Sequence, residues 1–96
     1  MITRIYRVRI KPDLRAEFEP LFQTIARASV AGCEGCRRVT VGGSSPGSPD
    51  EYAMITEWRD AEALTSFIGA DWTQAHIPDG MERFVDTCWV HHFEHM

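Results

Sequence analysis

The sequence predicts a single α+β domain over residues 1–96, with four strands and two helices in the order β-α-β-β-α-β. Residues 2–11 and 52–58 alternate with a period of two, the signature of half-buried strands. Residues 14–31 and 61–68 place apolar side chains at helical spacing. Proline, glycine and aspartate fall between these segments as stops and caps. A chain of 96 residues has room for one hydrophobic core.

The first strand sets Arg4, Tyr6, Val8 and Ile10 on one face and Thr3, Ile5, Arg7 and Arg9 on the other, and Pro12 ends it. Asp13 is the expected N-cap of a helix carrying Leu14, Phe18, Leu21, Phe22 and Ile25 on its buried stripe. Gly32 is its expected stop, and Pro20 within it should kink it. Cys36 to Val41 forms the second strand, and residues 42–50, rich in Gly, Ser and Pro, form a flexible connection. Tyr52 to Trp58 is the third strand. Asp60 caps a short helix burying Ala61, Leu64, Phe67 and Ile68, closed by Gly69. Asp71 opens a turn or short helix through Trp72 to His76, stopped by Ile77 and Pro78. Arg83 to Glu94 is the fourth strand.

This order is the split βαβ arrangement of a ferredoxin-like sandwich. Right-handed crossovers place both helices on one face of a four-stranded antiparallel sheet. Tyr6, Val8, Ile10, Met54 and Trp58 then face the helices, whereas Ile5, Val39, Val41 and Ile55 have the opposite parity. One chain cannot cover both faces, which predicts a homodimer through the sheet face. A charge at Ile55 or Val39 is expected to weaken that dimer.

Composition narrows the partners. Ten Lys and Arg against 14 Asp and Glu give a net charge of -4, without a global pull toward phosphate backbones. Nucleic acid is therefore not expected. The cluster Arg4, Arg7, Arg9 and Lys11 is the one place for an anion, although such a cluster is more often a solvated or ion-paired strand face. Apolar runs are far short of the ~20 residues that span a bilayer, and arginines interrupt the N-terminal segment, so the expectation is a cytoplasmic protein with no membrane partner.

Cys33-Glu-Gly-Cys36 has the spacing of a redox pair or half a zinc site. A redox pair needs a helix starting at its first cysteine, whereas this one follows a helix and contains Gly35. The thiols read as structural, with zinc, shared with Cys88 and a histidine, and redox chemistry as the alternatives. His91, His92 and His95 do not converge from a regular strand. No metal and no cofactor are expected.

The chain resembles the dimeric α+β barrel superfamily and, within it, the antibiotic biosynthesis monooxygenase family. The likeness rests on Gly35-Cys36 opening the second strand and on Ile55-Thr-Glu57-Trp58-Arg-Asp60-Ala-Glu-Ala-Leu64 at the junction of strand three and helix two. Phe67-Ile-Gly-Ala-Asp71-Trp72-Thr-Gln-Ala-His76-Ile-Pro78 and Val90-His-His92-Phe-Glu94 resemble a smaller group within it. The resemblance implies cofactor-independent oxygenation of quinols or anthrones as one activity. In that branch an Asn, a Trp and a Tyr act together; the matching positions hold Met54, Trp58 and Leu64, so Trp58 alone is retained. The haem-degrading branch implies an Asn, a Trp and an axial His where this chain has Tyr6, Phe67 and Ile77, with His76 one residue away.

Cofactor-free oxygenation needs a dry aromatic pocket and a base or oxyanion partner. Tyr6, Trp58 and His76 are the catalytic candidates. Met54, Phe67, Trp72, Phe84 and His92 are the substrate-binding candidates. A monooxygenase acting on a small aromatic or quinol-type metabolite is the leading expectation. A non-catalytic small-molecule binding or stress-associated protein is the alternative, and haem handling a third. Any of these aromatics also reads as ordinary core, and His76 as an exposed helix-end histidine.

Overall fold

A computed structural model describes residues 1–96 as one four-stranded antiparallel sheet with helices on one face. The strands are β1 (Ile2–Ile10), β2 (Cys36–Gly42), β3 (Glu51–Trp58) and β4 (Val85–Glu94), in spatial order β2-β3-β1-β4. This is the ferredoxin-like arrangement, with β1 at the centre between β3 and β4. No helix is long and apolar enough to cross a membrane.

One long helix covers much of the sheet, and it is not uniform. It runs from α1 (Arg15–Leu21) through a π-helical turn, Phe22–Ala26, into α2 (Arg27–Ala31). Pro20 has no N–H to donate and its ring crowds the preceding turn, and the wider π turn begins two residues later. Thr24 Oγ1 donates to the Pro20 carbonyl at 2.7 Å. A π turn rotates the chain less per residue than an α turn. Phe18, Phe22, Ala26 and Val30 therefore stack on the buried side, while Ile25, expected there, swings out and is 54% exposed. Asp13 does not cap this helix: it lies inside a 3₁₀ turn, Pro12–Leu14, and the helix opens with no side-chain cap.

The second helix, α3 (Ala61–Ile68), matches its sequence signals. Asp60 Oδ1 accepts from the Ala63 N–H at 2.9 Å, and Gly69 closes the helix at φ 97°. The left-handed residue after the long helix is Gly35 (φ 83°), whereas Gly32 stays right-handed. Gly35 also marks a close approach, since a Cβ there would stand 2.3 Å from the Ala63 Cβ.

Strand β3 buries Tyr52, Met54, Thr56 and Trp58 in strict alternation against the helices. Beneath the long helix, Phe18 packs edge-on to Tyr52 and Phe84 at centroid distances of 5.0 and 5.6 Å. Ile5 pairs directly with Ile55 on the opposite face, where Arg7 lies 4.5 Å over the Trp89 ring and pairs with Glu51. Val39 and Val41 do not join them. A register shift between Cys36 and Arg38 sets Val39 opposite Thr56 and Val41 opposite Met54, on the helix side. The open face is thus less apolar along β2 than the uninterrupted alternation implied.

The Gly35 geometry yields a stability test. Gly35→Ala adds left-handed strain to a direct overlap with Ala63 and should cost roughly 2–4 kcal/mol. Gly32→Ala has nothing within 4 Å and a right-handed backbone, so it should be neutral or stabilising by about 0.4–1 kcal/mol. Urea denaturation of the two variants checks both signs.

Candidate active site

A cavity of about 40 Å³ lies between the sheet and the long helix, partly open to solvent. Arg4 and Tyr6 from β1 and Met54 and Thr56 from β3 form its floor. Phe18, Phe22, Ala26 and Val30 roof it, and Phe67 of α3 closes one side. His76, Ile77, Pro78 and Met81, from the segment between α3 and β4, and Val85 at the start of β4 supply the remaining wall. The walls are largely apolar, which makes the few polar groups on them the chemically informative ones.

Arg4 is the most unusual of these. It is only 3% exposed, and its charge meets no carboxylate. Nη1 donates to the Trp72 carbonyl at 2.8 Å and to His92 Nε2 at 3.0 Å, and Nη2 donates to the Gln74 carbonyl at 2.6 Å. Burial lowers the Arg4 pKa from its ordinary value, yet a guanidinium remains protonated in proteins. The side chain ties the centre of the sheet to the segment that walls the cavity.

The two histidines near this cation have assignable tautomers. An arginine only donates, so His92 Nε2 accepts and its proton sits on Nδ1. His76 Nε2 lies 3.1 Å from Ser29 Oγ. The single Ser29 hydroxyl proton goes to the Ala26 carbonyl at 2.6 Å, so Nε2–H of His76 donates to Ser29 and Nδ1 keeps a free lone pair. Burial first, and the Arg4 charge second, lower the pKa of both histidines, with His91 adding to the effect on His92. Both are neutral at pH 7. Burial and the neighbouring Cys88 thiol push the Tyr6 phenol well above its ordinary value, so Tyr6 is a neutral donor.

Tyr6, Met54, Phe67 and His76 meet at the cavity, with the His76 ring 4.7 Å from that of Phe67. Trp58, Trp72, Phe84 and His92 do not line it. Trp58 is fully buried behind Phe67, 4.9 Å away and nearly parallel, and its indole N–H is taken by Thr56 Oγ1 at 2.8 Å. Phe84 is fully buried against Phe18. Trp72 stands 5.3 Å from His92 and donates its own N–H to Thr65 Oγ1, and both grip Arg4. In sequence Arg4 reads as one of a basic cluster with Arg7, Arg9 and Lys11, which hides its place in the site. The available signal was parity, since Arg4 shares its face with Tyr6, Val8 and Ile10.

Elsewhere, Cys33, Cys36 and Cys88 are free thiols, and no group of three or more His, Cys, Asp or Glu side chains converges. Burial raises the Cys36 pKa, opposite to the depression expected of a reactive thiol.

Fold and site together define a ferredoxin-like α+β domain with a mostly apolar pocket between sheet and helices. Residues 1–79 match the model of the antibiotic biosynthesis monooxygenase family, and the chain belongs to that family. A crystal structure of an antibiotic biosynthesis monooxygenase superposes with a TM-score of 0.76 at 17% identity, over 100% of this chain and 99% of that one. SnoaB, a cofactor-independent oxygenase from Streptomyces nogalater, gives a TM-score of 0.70 at 20% identity, over 98% and 91% of the two chains. The haem degrader MhuD of Mycobacterium tuberculosis, with two haems bound in its active site, gives 0.69 at 19% identity, over 98% and 94%. Likeness at such identities establishes the fold. No curated protein sequence matches the chain at a significant level.

The depressed histidines predict a pH dependence. Protonation of either favours the unfolded chain, where a histidine titrates near ~6.5. Their contribution to stability is therefore complete above ~6.5 and lost as the pH falls through that value toward their lower folded pKa. His92→Gln keeps an acceptor for Arg4 without a titrating group. It should flatten the fall in urea midpoint between about pH 7.5 and about pH 5.5. The carboxylates with lowered pKa, among them Glu51 and Asp60, act in a separate, more acidic window.

Proposed function

We propose that this family member is a cofactor-independent oxygenase acting in the cytoplasm on a small aromatic or quinol-type metabolite. The carrying observation is a neutral His76 on an apolar cavity wall, with Nε2 engaged by Ser29 and Nδ1 free to take a proton. In the proposed reaction Nδ1 accepts a proton from the bound phenol or enol. The resulting carbanion-like ring carbon is electron-rich enough to reduce O₂ itself. A C–O bond forms to give a hydroperoxide, which loses water and leaves the quinone carbonyl. One oxygen atom enters the product, the other leaves as water, and the substrate supplies the electrons.

In this proposal Met54 and Phe67 are contact surfaces for the ring, Tyr6 is a neutral hydrogen-bond donor, and Trp58 supports Phe67 from behind. Trp72 and His92 act through Arg4, and Phe84 through the packing of Phe18. The cavity has room for roughly three waters at ~10–15 Å³ each, so a substrate enters by displacing the segment around His76 to Met81. Oxygen uptake with naphthols and quinols in metal-free buffer tests the activity. His76→Ala should lower kcat by about 10²-fold or more. Trp58→Phe should instead cost about 1–2 kcal/mol of stability and leave kcat nearly unchanged. Full activity in His76→Ala ends the proposed chemistry.

A second reading, a non-catalytic small-molecule binding protein, draws on Met54 and Leu64 where the resemblance to the quinol oxygenases implies an amide and a phenol. Ligand binding without oxygen uptake selects it. Haem handling predicts a Soret shift on haem titration.

We further propose that the open sheet face joins two copies of the chain. Ile5 and Ile55 lie at its centre, beside Trp89 and a Phe93 that is 58% exposed. Ile55→Asp should convert a sedimenting dimer to a monomer, whereas a charge within 44–49 should not. Val39, on the helix side, should affect stability when charged and leave the dimer contact itself intact.

A further inference from the structure

We propose that the cavity binds its ligand as an anion, with an ionised oxygen on the unused N–H groups of Arg4 and an aromatic ring against Phe67 and Met54. The proposal deepens the oxygenase reading, in that it takes the same cavity as the substrate site, and it narrows the substrate class to aromatic acids of the phenol, enol or carboxylic type.

The argument starts from the charge balance. Arg4 is the sole charged residue on the cavity wall, and no Asp or Glu touches its guanidinium. A cation buried without a counterion is costly, and neutral acceptors offset that cost without neutralising the charge. Three of the five guanidinium N–H groups are taken, two on Nη1 and one on Nη2. The Nε–H and one Nη2–H remain. Every fully buried side-chain polar atom in the chain has a partner, so the unpartnered Nε is not fully sealed off, and Arg4 lines the cavity. An anionic oxygen there gains a charge-assisted bond in a dry site. Tyr6, held neutral by its burial, lines the same cavity and does not quench the cation.

Phenolates, enolates and carboxylates share this chemistry, and a dye resolves them. The probe is 4-nitrophenol, whose phenolate alone absorbs in the visible, used with neutral 4-nitroanisole and with 4-nitrobenzoate. At about one pH unit below the free dye's pKa, binding to the wild-type protein should raise the phenolate band. The anisole should bind at least about tenfold more weakly. Arg4→Met should abolish the phenolate rise and equalise the two affinities. If that variant fails to fold, the wild-type comparison alone decides. Equal affinity for dye and anisole, ionisation of the bound dye as in buffer, or no binding of either anionic probe at millimolar concentration overturns the proposal. Competition by 4-nitrobenzoate separates a carboxylate ligand from a phenolate, and either supports the anion site. The dye is not an oxygenation substrate. An intact dye response with no oxygen uptake from any quinol therefore counts against the oxygenase reading and leaves the anion site standing.

Discussion

A single buried cation organises the cavity side of this molecule. Arg4 projects from the central strand toward the helices, and its guanidinium holds the carbonyls of Trp72 and Gln74 together with His92. Hydrogen bonds to a charged group contribute about 1.5–3 kcal/mol each. Removing the charge from water costs several kcal/mol. The two are of similar size, so Arg4 is not chiefly a source of stability. What it fixes is position. Apart from turns and the short 3₁₀ helix Glu82–Phe84, the stretch between α3 and β4 has no regular structure, and this anchor holds it beside the cavity that its residues His76 to Met81 help to wall.

The cavity above Arg4 has a separate origin in the long helix. An uninterrupted α-helix would turn Ile25 toward the sheet in place of Ala26. Pro20 and the π turn that follows it change the phase, so Ala26 comes to face Tyr6 and Met54 across the cavity. A methyl group at that point leaves space that an isoleucine would fill. The same turn brings Ser29 within reach of His76 and Val30 onto the roof. Cavity, the His76 contact and the cation thus depend on one irregularity in one helix and one charge on one strand.

Much of the fold was legible because its signals are local. The alternation of β1 and β3, the Asp60 cap, the stop at Gly69 and the order of elements all follow from short-range sequence pattern. The errors share a cause as well. Parity alone puts Val39 and Val41 on the open face, and a single bulged residue near Arg37 reverses them. A regular helical period puts Ile25 on the buried stripe, and the π turn breaks that period. The site was half legible. Tyr6, Met54, Phe67 and His76 reach the cavity, since each stands on a face or segment that the fold places there. Trp58 shares the right parity, but whether an aromatic is wall or core depends on what stands in front of it. Phe67 stands there, and nothing local in the sequence says so.

The partners of Arg4 explain how a buried guanidinium can remain chemically available. An aspartate at position 92 would bind it more strongly, and would also neutralise it. His92 is depressed in pKa by burial and by Arg4 itself, so it accepts a hydrogen bond while carrying no charge. The two backbone carbonyls do the same. Three neutral acceptors orient the guanidinium and leave its unit charge intact, in a setting where low polarity strengthens any field it projects. The resulting potential falls across an apolar wall and over His76, which it helps to keep neutral. A neutral base and an unquenched cation beside one cavity form a complementary pair. In the proposed reaction the first would take a proton from an acidic ligand, and the second would stabilise the anion so formed. Each arises from the same physical condition, burial of polar groups with neutral partners only.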